Sequence, residues 1–70
     1  MTNALKTIIE NLLAYETYEV KYFNTEDRTE NLNAIDYLTE KGYCTIVAQA
    51  IGFTRLQLTD LGKQELEELL

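Results

Sequence analysis

The fold of this chain is decided by the stretch from Leu38 to Gly62, which reads LTEKGYCTIVAQAIGFTRLQLTDLG. It begins at the end of a predicted helix, where Lys41 falls in the last turn and Gly42 supplies the left-handed conformation that ends a helix. Residues that favour β-structure dominate from Tyr43 to Thr59. They are interrupted at Ile51-Gly52, where a tight reversal is predicted because glycine accepts a positive φ. The stretch therefore predicts a β-hairpin between two helices.

Alternation along the hairpin predicts which side of each strand faces the core. In the second strand, Arg55 and Gln57 face water, and the core-facing set is Thr54, Leu56 and Leu58. In the first strand, the pattern places Cys44, Ile46, Ala48 and Ala50 on one side and Tyr43, Thr45, Val47 and Gln49 on the other.

A last helix follows the hairpin and is capped by Thr59 and Asp60. Gly62 aligns with Leu66 and Leu69 on the apolar face of this helix. A glycine inside a helix costs about 1 kcal/mol relative to alanine. Its presence on the apolar face predicts that the helix backbone lies close to the sheet.

The chain begins with a predicted amphipathic helix. Thr2 or Asn3 can cap its start, and it runs to about Ala14. The spacing i, i+3, i+4, i+7, i+8 is met by Leu5, Ile8, Ile9, Leu12 and Leu13. These five residues form one apolar side of the helix.

A short strand and a second helix connect this helix to the hairpin. From Tyr18 to Phe23, aromatic and β-branched residues alternate with charged ones, which is the pattern of a strand. Asn24 and Thr25, followed by two acidic residues, predict the start of a helix over residues 25–41. The complete order is α-β-α-β-β-α. The sequence thus predicts an α+β fold in which a small antiparallel sheet packs on three helices.

Length and composition restrict this fold to a single domain over residues 1–70. The chain has no histidine or proline, one cysteine and a formal net charge of −6. A single cysteine cannot form an internal disulfide. No apolar run is long enough to span a membrane, and no basic-then-apolar signal pattern begins the chain. We therefore expect a cytoplasmic protein.

Two motifs frame the predicted hairpin. Leu38-Thr39-Glu40-Lys41-Gly42-Tyr43 reads L-x-E-K-G-Y across the helix end, and Leu56 to Lys63 contains L-T-x-x-G across the last strand end. Their joint order over residues 25–70 resembles the winged-helix family of small bacterial and phage regulators. The resemblance implies a winged-helix-like scaffold, with the helix over residues 25–41 as recognition helix and Ala50 to Phe53 as wing tip.

The chain departs from that family at the positions that would bind DNA. One helix is predicted where the family has the two of a helix-turn-helix. Residues 26–41 hold five acidic and two basic side chains, and Ala50 to Phe53 hold no basic one. Phosphates and base edges are bound mainly by basic and amide side chains. A DNA-binding regulator is therefore the alternative hypothesis, and its contacts would be Arg28, Asn31, Asn33 and Arg55.

Nothing in the sequence resembles an active site, so we expect no enzymatic activity, no cofactor and no metal. Without histidine, the chain lacks the commonest general base and metal ligand. Cys44 has no partner base and falls at an apolar strand position, which raises the pKa of a thiol. Glu65, Glu67 and Glu68 point in different directions along a helix and cannot converge on one ion.

Two features are candidate interaction surfaces. The first is the hairpin tip with Val47, Ile51 and Phe53, which is a contact surface if exposed and part of the core if the first helix covers it. The second is a set of tyrosines, whose rings suit both the rim of a small core and a protein interface. Its members are Tyr15, Tyr18 and Tyr22.

The acidic charge and these apolar features favour a small non-enzymatic binding module, acting by protein–protein interaction or homodimerisation. The expected partner is another protein or a second copy. The net charge disfavours nucleic acid and anionic membranes. A third hypothesis, which size and charge permit, is an acidic mobile-element antagonist of a nucleic-acid enzyme.

Overall fold

Three helices and three strands alternate along the chain in the predicted order. The computed structural model describes all 70 residues. The elements are α1 (Asn3–Tyr15), β1 (Thr17–Lys21), α2 (Arg28–Glu40), β2 (Cys44–Ala50), β3 (Phe53–Leu58) and α3 (Asp60–Leu69). This arrangement confirms the predicted α+β class and is compatible with a winged-helix-like fold.

The strands form one antiparallel sheet in the order β1-β3-β2. In the pair β1–β3, Tyr18 lies opposite Leu56 and Lys21 lies opposite Phe53. One face of the sheet packs on the helices, and the other face is open to solvent. The core between sheet and helices consists of Ile8, Ile9, Leu12, Val20, Tyr22, Ala34, Ile35, Leu38, Cys44, Leu56, Leu58 and Leu66.

Local signals start or end the three predicted helices. The amide of Leu5 donates to Thr2 Oγ1, which caps α1, and the amide of Gly62 donates to Thr59 Oγ1, which caps α3. Gly42 follows α2 with φ of 78°, the left-handed conformation expected of it. No helix is both long and apolar enough to cross a membrane.

The helix predicted over residues 25–41 starts later than expected. Asn24 adopts φ of 54°, and the Thr25 hydroxyl donates to the carbonyl of Tyr22 instead of capping a helix. Two turns occupy residues 23–24 and 26–27, so α2 begins only at Arg28, after Asp27 as its N-cap. Asparagine and threonine serve turns as readily as helix caps, which explains the difference.

The alternation predicted for the first hairpin strand is wrong beyond Ile46. Ile46 lies opposite Leu56, but Ala48 lies opposite Arg55, so Val47 is an extra residue in a β-bulge. The bulge moves Ala48 and Ala50 onto the open face with Arg55. The apolar set predicted for one side is therefore divided between the two faces.

The backbone of α3 approaches the start of β2, as the glycine predicted. A Cβ on Gly62 would lie well under 3.0 Å from the carbonyl oxygen of Tyr43. It would also overlap a methyl group of Leu58. Only a residue without a side chain fits at this contact.

Candidate functional site

The turn between β2 and β3 is held against the end of β1. Gly52 adopts φ of 88°, which makes the tight reversal at the predicted position. Its carbonyl accepts a hydrogen bond of 2.8 Å from the amide of Tyr22. The hydroxyl groups of Tyr22 and Thr54 share a further hydrogen bond of 2.8 Å inside the core. These bonds fix the turn on a rigid base.

Large apolar side chains surround this turn and face solvent. Ile51 is 91% exposed and Phe23 is 63% exposed. A Cβ on Gly52 would lie 2.5 Å from the Cβ of Phe23, so the phenylalanine lies directly against the turn. Phe53 follows the turn and is half-buried. We call Phe23, Ile51 and Phe53 the tip surface.

A shallow hollow of about 330 Å³ lies beside the tip surface. It is lined by Phe23, Asn24, Thr25, Arg28, Ile51 and Gly52. The guanidinium of Arg28 lies 6.0 Å above the ring of Tyr22 and makes no ion pair. Lys21 lies opposite Phe53 in the sheet. Two basic side chains thus flank the tip surface of an acidic protein.

The predicted hairpin residues do not all belong to the tip surface. Ile51 and Phe53 flank the turn, and α1 does not cover them. Val47 is 54% exposed, but it lies in the bulge of β2 rather than at the tip. Phe23 belongs to the tip surface and was absent from the sequence-based candidates. The available signal was an aromatic residue at the end of the predicted strand, on the opposite side of the alternation from Val20 and Tyr22.

The three tyrosines occupy three different environments. Tyr15 is 72% exposed, but it precedes β1 and lies at the opposite end of the sheet from the turn. Tyr18 is half-buried and packs against the core. Tyr22 is only 4% exposed, so it is excluded from any surface, because its ring faces inward with Val20 and its hydroxyl bonds to Thr54.

The four residues of the DNA-binding alternative do not form one exposed face. Asn31 is buried at 8% exposure and lines a small hollow between α1, β1 and α2. Asn33 lies beside a separate hollow between α1 and α2. Arg55 lies on the open sheet face and donates to Glu19 Oε1 at 3.0 Å. Only Arg28 lies near the turn.

The exposed face of α2 carries more negative than positive charge. Glu30, Asp36 and Glu40 are exposed on it, with Arg28 at its first turn and Lys41 just past its end. A continuous basic stripe of the kind that follows a phosphate backbone is not formed along this helix.

The three groups with shifted pKa values lie at the end of the sheet away from the turn. Cys44 is buried, and desolvation raises the pKa of its thiol to about 11, so the thiol stays protonated well above neutral pH. Lys63 hydrogen-bonds to the Glu16 carboxylate, which lowers the pKa of Glu16 and raises that of Lys63. No group of three acidic or cysteine side chains is arranged to hold a metal ion.

The whole chain was compared with known proteins, and no family model, no curated protein and no solved structure matches it.

Proposed function

We propose that this protein is a small non-enzymatic binding module, on a reduced winged-helix-like scaffold, that contacts another polypeptide through the tip surface. The observation that carries the proposal is the exposure of Ile51 and Phe23 side by side around Gly52. Single exposed apolar residues are ordinary, but adjacent large ones at a rigid turn are typical of contact surfaces.

Burial of these side chains against a partner would supply favourable binding free energy. Fully burying an isoleucine or phenylalanine side chain contributes about 1.5–3 kcal/mol. Binding would lose little of this to ordering, because the turn is already held by the Tyr22–Gly52 hydrogen bond. Aromatic residues at the centre of a patch are also enriched in protein interfaces.

The charges around the tip surface favour a polypeptide partner with acidic groups near its apolar ones. Lys21 and Arg28 flank the surface, and Arg28 has no carboxylate of its own chain. A carboxylate of the partner would meet a guanidinium that can bind it through two parallel hydrogen bonds.

The winged-helix resemblance supplies the scaffold in this proposal and not the DNA chemistry. The helix and hairpin that match the family's motifs are in place, while only one helix lies between β1 and β2. The positions that would meet DNA are acidic on α2 and apolar at the turn. The same scaffold serves different partners when its surface changes.

Site-specific photo-crosslinking tests the proposal. A photoreactive phenylalanine analogue replaces Ile51, and in a matched control it replaces Gln64, which is exposed on α3. Both proteins are produced in cells and irradiated, and adducts are resolved by mass. The proposal predicts discrete polypeptide adducts from position 51 and none of equal yield from position 64.

A second variant keeps the crosslinker at position 51 and adds Phe23→Ser. Because Phe23 is 63% exposed, the substitution leaves the core intact. Adduct yield is expected to fall several-fold, since one of the three apolar side chains of the tip surface is lost. Equal yields from positions 51 and 64 would contradict the proposal.

A further inference from the structure

The outer edge of β2 has no partner within the chain. β2 lies at one side of the order β1-β3-β2, so its outward N–H and C=O groups are not paired by a strand. None of the backbone hydrogen bonds of loops and caps involves residues 44–50, and no side chain bonds to their backbone. Alternate residues of this seven-residue strand therefore direct unpaired backbone N–H and C=O groups outward.

This edge also lacks the charges that usually protect one. β2 reads CTIVAQA, without a charged residue or proline. The other edge strand, β1, reads TYEVK and carries Glu19 and Lys21. Natural edge strands are usually blunted by charge, proline or a bulge, and β2 has only the bulge at Val47. Its apolar side chains stay accessible, with Ile46 at 43% and Val47 at 54% exposure.

We propose that β2 pairs antiparallel with β2 of a second copy, which joins two three-stranded sheets into one of six strands. Pairing that involves the parts of β2 on both sides of the bulge places Val47 near the two-fold axis. Each residue of β2 would then face a residue of the same strand in its partner. The contact uses a different surface from the tip, so this inference and the proposed function can fail separately.

The absence of charge from β2 argues for a second copy as the occupant. Close to a two-fold axis, a charged side chain would meet its own copy, and like charges placed opposite each other are destabilising. In a chain with twelve acidic and six basic residues among 70, β2 is the one strand without a charged residue, and it is therefore the edge that tolerates self-pairing. The charged β1 edges would remain outermost, so the assembly closes at two copies.

Net charge predicts how this dimer responds to salt. Each chain carries −6, so two copies repel each other beyond the contact itself. Added salt screens this repulsion, with a Debye length of about 10 Å at 0.1 M. The self-association is therefore expected to strengthen with salt, whereas binding of a basic partner would weaken.

Sedimentation equilibrium on the full chain, over a range of protein and salt concentrations, tests the dimer. The mass is expected to rise from 8.1 kDa to twice that value with concentration, and at lower protein concentration when salt is added. Val47→Lys is expected to weaken the dimer by about ten-fold or more, because two like charges meet at the axis. The matched control Thr17→Lys makes the same charge change on the exposed β1 edge and is expected to leave the dimer unchanged.

A mixture of Val47→Lys and Val47→Glu chains tests the position of the axis. Each variant alone is expected to dimerise more weakly than wild type, and the mixture is expected to regain the doubled mass at the protein concentrations at which wild type dimerises. A wild-type protein that stays monomeric at every concentration overturns the inference, as does a Val47→Lys variant that dimerises like wild type. Either result leaves crosslinking from position 51 as an independent readout of the tip surface.

Discussion

At the scale of single residues, two buried hydroxyl groups hold the hairpin in place. Tyr22 directly follows β1, and Thr54 lies in β3 opposite Val20. The hydroxyl oxygens of Tyr22 and Thr54 are 2.8 Å apart. Thr54 is fully buried, so water cannot replace its partner. This pair explains why a tyrosine that is suited to a surface lies in the core.

Tyr22→Phe is expected to lower the free energy of unfolding by about 1–3 kcal/mol, because it leaves the Thr54 hydroxyl buried without its partner. Adding Thr54→Val removes that unpaired group, so the double variant should lose less than the sum of the single losses. Urea unfolding of all four proteins measures the difference. Strictly additive losses would show that the two hydroxyl groups do not interact.

Cys44 provides a pH test of burial at one residue. Its pKa is raised to about 11 in the folded protein from an ordinary value of 9.0. Between these values the folded chain keeps a proton that the unfolded chain has released, so stability falls as pH rises from 9 to 11. The slope is at most about 1.4 kcal/mol per pH unit.

Cys44→Ala is expected to remove this contribution to the slope while lowering stability at neutral pH. Urea unfolding at several pH values compares the two proteins. An unchanged slope in the alanine variant would mean that the thiol is not desolvated.

At the scale of elements, the contact between α3 and the start of β2 leaves no room for a side chain. Gly62→Ala raises helix propensity by about 1 kcal/mol, which alone would stabilise α3. The new Cβ would overlap the backbone carbonyl of Tyr43, which cannot move without shifting β2. We expect a net loss of about 1–3 kcal/mol in unfolding free energy.

Gln64→Ala is the matched control, since Gln64 is exposed on the same helix and its replacement should change stability little. Both variants are compared by thermal and urea unfolding. A Gly62→Ala variant as stable as the control would mean that α3 lies farther from the sheet.

Residues that start or end helices and strands explain which elements could be predicted from sequence. Gly42 and Thr59 each have one dominant local role, and the junctions they mark lie at the predicted places. Asn24 and Thr25 suit both turns and helix caps, and in the structure they form a turn where a helix cap was predicted. The bulge at Val47 has no local signal, because its extra residue is defined only by pairing with β3.

The candidate site was predictable only in part for a related reason. Ile51 and Phe53 were identified because they flank a glycine turn. Phe23 joins them through its contact with Gly52, a residue 29 positions later in the chain. Contacts of this kind depend on the sheet order, which local periodicity does not contain. The burial of Tyr22 also depends on the sheet order and could not be predicted from local periodicity.

At the scale of the whole molecule, the distribution of charge argues for a polypeptide partner. Of the six basic residues, Lys21, Arg55 and Lys63 are each paired with a glutamate of the same chain. Those near the turn flank apolar side chains and form no stripe. The apolar tip surface and the uncharged β2 edge suit contact with other polypeptide chains, whereas the acidic face of α2 would repel phosphate.

A gel-shift titration with mixed-sequence duplex DNA, repeated from about 50 to 200 mM salt, tests this central claim most directly. We expect no retarded band at any of these salt concentrations. This holds even when the protein concentration exceeds the dissociation constants that are typical of non-specific DNA binding. A retarded band whose affinity falls steeply with added salt would contradict the account, because it would demonstrate that phosphates are neutralised by this protein.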